Sequence, residues 1–167
     1  MALGETITGG CGCGAIRYRA RDAGLLPYAC HCTGCQTRQG SSFALNQQVA
    51  ADDLEIDGAT ISGTVLALSG ARVTHHACTF CLTRIYTVNE RRPEWPSLRA
   101  GTRDDSAGLV PTFHVWVRHK QPWIVLPADA IAFETQPDES DWQSLTRGEG
   151  VAPLARQQVR TGSADKA

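Results

Sequence analysis

Short stretches in which apolar and polar residues alternate dominate this chain. In AIRYRA, residues 15–20, every second side chain is apolar and the arginines fall between them, which places the two kinds on opposite faces of an extended backbone. Such a period of two, bounded by Gly, Pro and Asp turn signals, is typical of strands. Six further stretches are predicted to be strands: SSFALNQQVA (41–50), DLEIDG (53–58), TVLALSG (64–70), ARVTHHAC (71–78), LTRIYTVNE (82–90) and, most clearly, PTFHVWVRHKQPWIVL (111–126).

Helical periodicity is weak by comparison. We predict short helical segments at three places: a turn after Cys32, a piece around Trp95–Leu98, and DESDWQSLTR (138–147). The pattern therefore predicts an all-β fold with a few short helical turns. Residues 1–146 are expected to form a single domain, and the polar residues 147–167, which lack aromatic side chains, are expected to form a mobile C-terminal tail.

Charge and hydropathy exclude several classes of protein. The formal net charge of −1 argues against a dedicated binder of nucleic acid or of anionic membranes. No apolar run approaches the roughly 20 residues that a membrane span requires. The first ten residues, MALGETITGG, have neither the basic nor the apolar region of a signal peptide. We therefore expect a cytoplasmic protein, in which thiols stay reduced.

The seven cysteines form three groups, which fits metal binding better than disulfides because the number is odd. Two pairs, Cys11-x-Cys13 and Cys78-x-x-Cys81, have the form of a closed four-sulfur zinc site. Such a site would hold the N-terminal segment against a central hairpin and so stabilise a sheet protein.

The third group, Cys30, Cys32 and Cys35, supplies only three sulfurs. Three protein ligands and one open position are the signature of a catalytic zinc, which can take water or a substrate there. A soft, all-sulfur site also suits a thiol as the fourth ligand.

Other interpretations of the cysteines stay open on the residues alone. One structural zinc could accompany three reactive or redox thiols. A second structural zinc could be completed by one of the five histidines: His31, His75, His76, His114 or His119. His31 lies between two of the candidate ligands, and we expect its ring to hydrogen-bond to a group around the metal site rather than to bind the metal itself. Two interpretations of His114 stay open: a residue near the open metal position, and an ordinary histidine of the core or the surface. The spacings do not match those of the ferredoxin clusters.

Four motifs of the chain together resemble those of a known family. GGCGCGAIRY, CHCTGCQTRQGSSF, CTFC and GTRDDSAGLVPTFHVWVRHKQPW occur in that order between Gly9 and about Phe133. They are similar to motifs of the glutathione-dependent formaldehyde-activating enzyme family, which also includes centromere protein V-like proteins. The family usually has glycine directly after the second cysteine pair, whereas Leu82 stands here.

The resemblance implies a mainly antiparallel, Mss4-like fold with tent-shaped sheets. It implies a structural zinc on Cys11, Cys13, Cys78 and Cys81, and a catalytic zinc on Cys30, Cys32 and Cys35. It further implies a carbon–sulfur lyase whose partners are glutathione and formaldehyde, combined as S-hydroxymethylglutathione. Two functions from other classes stand beside this one: a non-catalytic zinc module that binds glutathione or a protein, and a thiol redox or metal-handling protein.

Glutathione carries two carboxylates, so its binding site should contain cations or backbone donors. Arg38, three residues beyond Cys35, is the first candidate, against the alternative of a solvated surface arginine. The stretch NERRPEWPSLRAGTRDD (89–105) offers four more arginines, and Trp95 could cover a cleft. A Pro-containing, charged stretch of this kind is nevertheless typical of a surface loop. The pattern does not indicate an oligomeric state.

Overall fold

The computed structural model describes residues 5–128 and 130–147 and the backbone of residues 159–160. Twelve strands and two helices are defined there: β1 (Thr6–Gly10), β2 (Arg17–Arg21), β3 (Tyr28–Cys30), α1 (Thr33–Gln39), β4 (Ala44–Gln48), β5 (Glu55–Asp57), β6 (Thr60–Leu66), β7 (Arg72–Cys78), β8 (Arg84–Asn89), β9 (Arg92–Arg99), β10 (Phe113–Val115), β11 (Ile131–Phe133), α2 (Glu139–Arg147) and β12 (Val159–Arg160). This content confirms the predicted mainly β fold. Neither described helix has the length and apolar character needed to cross a membrane.

The chain divides into two compact units, of which the first comprises Met1–Leu25 and Asn46–Leu109. Strands β1, β2 and β5 form an antiparallel sheet in the order β1-β2-β5. Strands β6 to β9 form an antiparallel meander, and residues 46–48 of β4 pair with β9. The core of this unit contains Ile7, Ile16, Tyr18, Ala20, Val49, Cys78, Ile85 and Leu98.

The second unit comprises Leu26–Leu45 and Val110–Ala167. Its strands are parallel, since β10 pairs with both β3 and β11, and β11 pairs with β12. Three aromatic rings form the centre of its core: Tyr28 stacks on Phe113 at 5.2 Å, and the edge of Trp142 from α2 meets both rings. Because neighbours cover both faces of β10, its residues Phe113, His114 and Val115 are all buried.

Several element predictions are wrong in their extent or type; the strand predicted over residues 64–70, for example, overlaps β6 only at residues 64–66. The long strand predicted over residues 111–126 is limited to β10, because Trp116 has a left-handed backbone (φ +60°) and a 3₁₀ turn follows at Val117–His119. Trp95–Leu98 is not helical but is part of β9. A proline inside this segment, Pro96, has no N–H for a helical hydrogen bond, and strand pairing on both sides of β9 decides the conformation.

The helices after Cys32 and near Trp142 are confirmed as α1 and α2. Strands β1, β3 and β11 were not predicted, because TITGG, YAC and IAF are short and show little alternation. The single domain over residues 1–146 stays a prediction. The predicted tail lies outside the described residues except for Arg147 and the backbone of β12.

Candidate metal centres

Four thiols of the first unit converge at one point. Cys11 and Cys13 follow β1, Cys78 ends β7, and Cys81 lies in the turn that leads to β8. Their sulfur atoms all lie within 4.8 Å of one another; the Cys11–Cys13 separation is 3.4 Å and the Cys13–Cys78 separation is 3.8 Å. A tetrahedral zinc with Zn–S bonds of 2.3 Å requires sulfurs about 3.8 Å apart. The donor set and the spacing therefore both fit a zinc ion.

Two tight turns present these sulfurs, and backbone amides point at them. The N–H of Ile16 donates to Cys11 Sγ at 3.1 Å, and the N–H of Phe80 donates to Cys78 Sγ at 3.4 Å. Such hydrogen bonds stabilise thiolates and orient them toward a cation. Each turn ends in a residue with a left-handed backbone: Gly14 (φ +80°) in the first and Leu82 (φ +59°) in the second.

Leu82 occupies the position where the family usually has glycine, and the turn forms nevertheless. Its N–H donates to the carbonyl oxygen of Cys78 at 3.1 Å, which closes the turn, and its side chain is exposed. A side chain in the left-handed region costs about 1–2 kcal/mol, because Cβ approaches the carbonyl oxygen. Leu82 thus adopts a strained backbone conformation, which glycine would adopt without strain, beside the four converging thiols.

Leu82→Gly is expected to raise the free energy of unfolding by about 0.5–1 kcal/mol. The relieved strain exceeds the cost of about 0.5–1 kcal/mol for the greater freedom of glycine in the unfolded chain. Urea unfolding of the zinc-loaded protein measures the difference. Leu66→Gly is the matched control, since Leu66 is an equally exposed leucine in β6 without positive φ, and it should be destabilised. A loss of stability in Leu82→Gly would contradict the strain at this turn.

One thiol of this cluster, that of Cys81, has an unusually low pKa. Hydrogen bonds from the hydroxyl and the backbone N–H of Thr83 lower the pKa of Cys81 to about 5. Four thiolates this close repel one another strongly unless a cation lies among them. A divalent metal supplies that charge and deprotonates coordinating thiols outright.

Three thiols of the second unit form a separate cluster. Cys30 ends β3, Cys32 caps the N-terminus of α1 and Cys35 lies in its first turn, so one strand-to-helix corner presents all three. Their sulfurs also lie within 4.8 Å of one another. The N–H of Cys35 donates to Cys32 Sγ at 3.2 Å, which satisfies a helix-terminal donor and fixes that sulfur.

Burial distinguishes the three sulfurs from one another. Cys30 and Cys32 are buried, whereas Cys35 is partly exposed. Hydrogen bonding with Cys32 and Cys35, together with burial, raises the pKa of Cys30 well above its ordinary value. Three soft donors with one side open to solvent fit a metal that retains an exchangeable position. Within the described residues, no histidine or carboxylate joins this cluster.

Next to this corner, two histidines form a buried pair. His31 Nε2 lies 3.0 Å from His114 Nδ1, and both side chains are buried. Burial, followed by the charge of His114, lowers the pKa of His31 to about 4, and burial lowers that of His114 to about 4. Both rings are therefore neutral at pH 7, and one N–H joins them. Each pairs with the other rather than with the sulfurs.

Gln36, which sequence reasoning missed, links this corner to a second loop. Its Nε2 donates to the carbonyl oxygens of His31 at 2.7 Å and of His119 at 2.8 Å. Its Oε1 accepts from Gln121 Nε2 at 2.8 Å. A glutamine on a short helix gives no signal in one sequence, because two of its three partners lie 83 and 85 residues away.

Arg38 lies over the turn that carries the three thiols. A Cβ placed on Gly34 would come within 2.7 Å of an Arg38 guanidinium nitrogen, so the glycine leaves space for this side chain. Gly34 stands between Cys32 and Cys35, and the arginine four residues later returns to the same face of α1. The candidate cation is thus near the three-thiol cluster.

The remaining candidates are placed elsewhere. His75 and His76 lie within β7, and the described residues show neither in a metal-binding group. The prediction of a surface loop over residues 89–105 is wrong in part, since Arg92–Arg99 form β9 and Arg99 is buried. A groove on the three-stranded sheet is lined by cross-strand partners such as Arg19 and Glu55 and contains no cysteine.

Sheet architecture and the converging thiols together define a mainly β protein with two cysteine clusters, each of a form that could hold a metal ion. A family model described as glutathione-dependent formaldehyde-activating enzyme matches residues 6–119, more than half of the chain. The chain therefore belongs to the glutathione-dependent formaldehyde-activating enzyme family.

No curated protein is significantly similar to it. Similar solved structures include a crystal structure of a Rhodobacter sphaeroides protein, a structural genomics target, with 21% identity over 62% of this chain and 97% of that one and a TM-score of 0.47.

Proposed function

We propose that this protein is a zinc-dependent carbon–sulfur lyase that acts on glutathione adducts of small aldehydes. The reaction is the formation of S-hydroxymethylglutathione from glutathione and formaldehyde, or its reverse. The observation that carries the proposal is the second unit's cluster of three thiols within 4.8 Å, with one thiol partly exposed. Membership in a family named for this activity supports the same reaction class.

The two clusters are assigned different roles. Cys11, Cys13, Cys78 and Cys81 supply four sulfurs, which complete the coordination of a structural zinc. Cys30, Cys32 and Cys35 supply three, so a zinc ion held there keeps a position for an outside ligand. That difference in ligand number is why we assign catalysis to the second cluster. A zinc ion held by four protein sulfurs has no open coordination position, so we do not assign substrate binding to the first cluster.

Zinc in the second cluster would lower the pKa of a glutathione thiol and make its thiolate available at neutral pH. In the reaction, a bond forms between the glutathione sulfur and the formaldehyde carbon. The carbonyl π electrons move to the oxygen, which takes a proton and becomes the hydroxyl of the product. Cys30, Cys32 and Cys35 would hold the ion, and their positions on β3 and α1 would keep a bound thiol oriented, which supplies part of the acceleration.

Arg38 is proposed to bind a glutathione carboxylate. A guanidinium presents a fork of donors that matches a carboxylate in two parallel hydrogen bonds. Gly34 leaves this side chain room over the cysteine turn, so the cation is near the bound thiol. Gln36 acts indirectly, because it fixes the backbone at His31 and His119 and so limits movement of this corner.

The test is NMR exchange between free glutathione and S-hydroxymethylglutathione, measured in the presence of formaldehyde at several concentrations of zinc-loaded protein. The uncatalysed exchange is the baseline. We expect the exchange rate to rise in proportion to enzyme concentration. Exchange that stays at the baseline, in a protein shown to hold two zinc ions, would refute formaldehyde chemistry. Glutathione binding without exchange would instead identify a non-catalytic module, and zinc content that varies between preparations would favour metal handling.

A further inference from the structure

Four polar side chains of the first unit converge on one face of its sheet, and two of them are buried. The side chains concerned, which we call the arginine cluster, are Asn46 on β4, His75 on β7, Arg84 on β8 and Arg99 on β9. Arg99 is only 7% exposed and Asn46 only 2%. Asn46 and Arg99 lie directly opposite each other in the pairing of β4 with β9. A register shift after His76 places Arg84 opposite Ala77, on the same face of the meander as His75.

Within the described residues, the Arg99 guanidinium has fewer hydrogen-bond acceptors than donors. One Arg99 nitrogen donates to Asn46 Oδ1, and another approaches His75 Nδ1 at 3.5 Å. A nitrogen of Arg84 donates to the same His75 Nδ1. Since a guanidinium can only donate, this imidazole nitrogen accepts and the ring proton is on Nε2. Arg99 Nε is buried and has no hydrogen-bond partner among the described residues.

Among the described residues, no carboxylate forms an ion pair with Arg99. In the described part of the first unit, four acidic side chains form ion pairs with other arginines. These pairs are Asp53 with Arg21, Glu55 with Arg19, Asp104 with Arg17 and Asp105 with Arg103. None of these carboxylates is paired with Arg99. A buried cation without a partner is strongly unfavourable, and a second guanidinium sharing its acceptor adds like-charge repulsion. An anion would relieve both.

We propose that the arginine cluster is a binding site for the carboxylate of a small organic acid. A planar carboxylate matches the fork of a guanidinium, accepts its unused N–H groups and neutralises its charge. Arg84 and His75 are partly exposed whereas Arg99 is buried, so the anion enters on the side of Arg84. Asn46 and His75 hold the Arg99 guanidinium in place for it. The proposal does not depend on the metal centres or on lyase activity.

The probe is acetate, added at constant ionic strength to the full-length, zinc-loaded protein. The readout is the ¹H–¹⁵N resonance of Arg99 Nε, assigned by its loss in Arg99→Lys. We expect this resonance to move saturably with acetate, because a new acceptor reaches a donor that had none. Arg72, an exposed arginine on β7, is the internal reference and should move only slightly and linearly. An Arg99 Nε resonance that does not respond to acetate, to glutathione or to succinate would overturn the proposal.

Thermal unfolding gives an independent second measurement. At ten times its dissociation constant, acetate is expected to raise the melting temperature of the wild-type protein by about 3–6 °C. Arg99→Met should lose this response while Arg72→Met keeps it. If Arg99→Met does not fold, the wild-type NMR titration still decides the question. An equal response in both variants would assign the effect to general salt and refute the site.

Two sources of the carboxylate are distinguished by a comparison of ligands. Saturation by glutathione at far lower concentration than by acetate, abolished in the glutathione diester, would identify a carboxylate of glutathione as the ligand. Saturation by acetate, succinate and glutathione at similar concentrations would identify a general site for small carboxylates. Both results support the carboxylate site. Neither requires formaldehyde exchange, so failure of the lyase proposal would be seen separately.

Discussion

Cys78→Ser is expected to leave the protein largely unfolded at neutral pH and to remove one zinc ion per chain. Cys78 is completely buried, belongs to the core of the first unit and is one of the four converging thiols. Structural zinc sites contribute about 10–16 kcal/mol in small peptides, whereas whole domains are stable by only about 5–15 kcal/mol. Loss of one ligand from such a site is therefore comparable with the total stability of the fold.

Zinc content and circular dichroism measure the two effects together. Thr79→Ser is the control for the neighbouring turn, since Thr79 is exposed and contributes no sulfur. Removal of zinc from the wild-type protein by a strong chelator should reproduce the unfolding without any substitution. A Cys78→Ser protein that unfolds cooperatively at the wild-type temperature would show that the four-thiol cluster is not a structural zinc site.

Cys32→Ser is expected to reduce the exchange of glutathione with S-hydroxymethylglutathione to its uncatalysed baseline while the fold is kept. Serine can cap α1 as Cys32 does, because its oxygen accepts the N–H of Cys35 in the same way. It is a much weaker zinc ligand, however, so the second ion is lost. Changes in groups that only support zinc ligands cost about 10–100-fold, and loss of a ligand itself should exceed that.

The enzyme-dependent exchange rate, zinc content and unfolding midpoint are to be measured on the same preparation. We expect one zinc ion per chain and a midpoint close to that of the wild type. Ser62→Ala is the control, since Ser62 is exposed on β6 in the first unit and should leave the exchange rate unchanged. If Cys32→Ser still catalyses exchange at the wild-type rate, the three-thiol cluster is not the catalytic site.

Together, the two substitutions separate the proposed roles of the clusters. Loss of folding in one variant and loss of exchange in the other would match the assignment of a structural and a catalytic zinc. Unfolding in both variants would instead indicate two structural ions, and the three-thiol cluster would then need another explanation. Equal zinc loss with no change in folding or exchange would favour metal handling.

Strand prediction succeeded where one face of a strand is solvated. In β2, Tyr18 is buried and Arg17 and Arg19 are exposed, so the period of two is visible in the residues. It was wrong in extent around β10, where His114 is buried like Phe113 and no solvated face marks the strand. Beyond Val115, apolar and polar residues still alternate but do not form a strand, because the backbone of Trp116 is in the left-handed region.

The sequence by itself determined the division of the thiols, because ligands two or three residues apart are brought together by one local turn. It therefore indicated Cys30, Cys32 and Cys35 as one group, and the pairs at Cys11 and Cys78 as halves of another. Only the tertiary structure decided contacts between distant segments: the pair of His31 with His114 and the convergence of Arg84 and Arg99 on His75. These depend on strand register, and a shift by one residue would turn each side chain to the other face of its sheet.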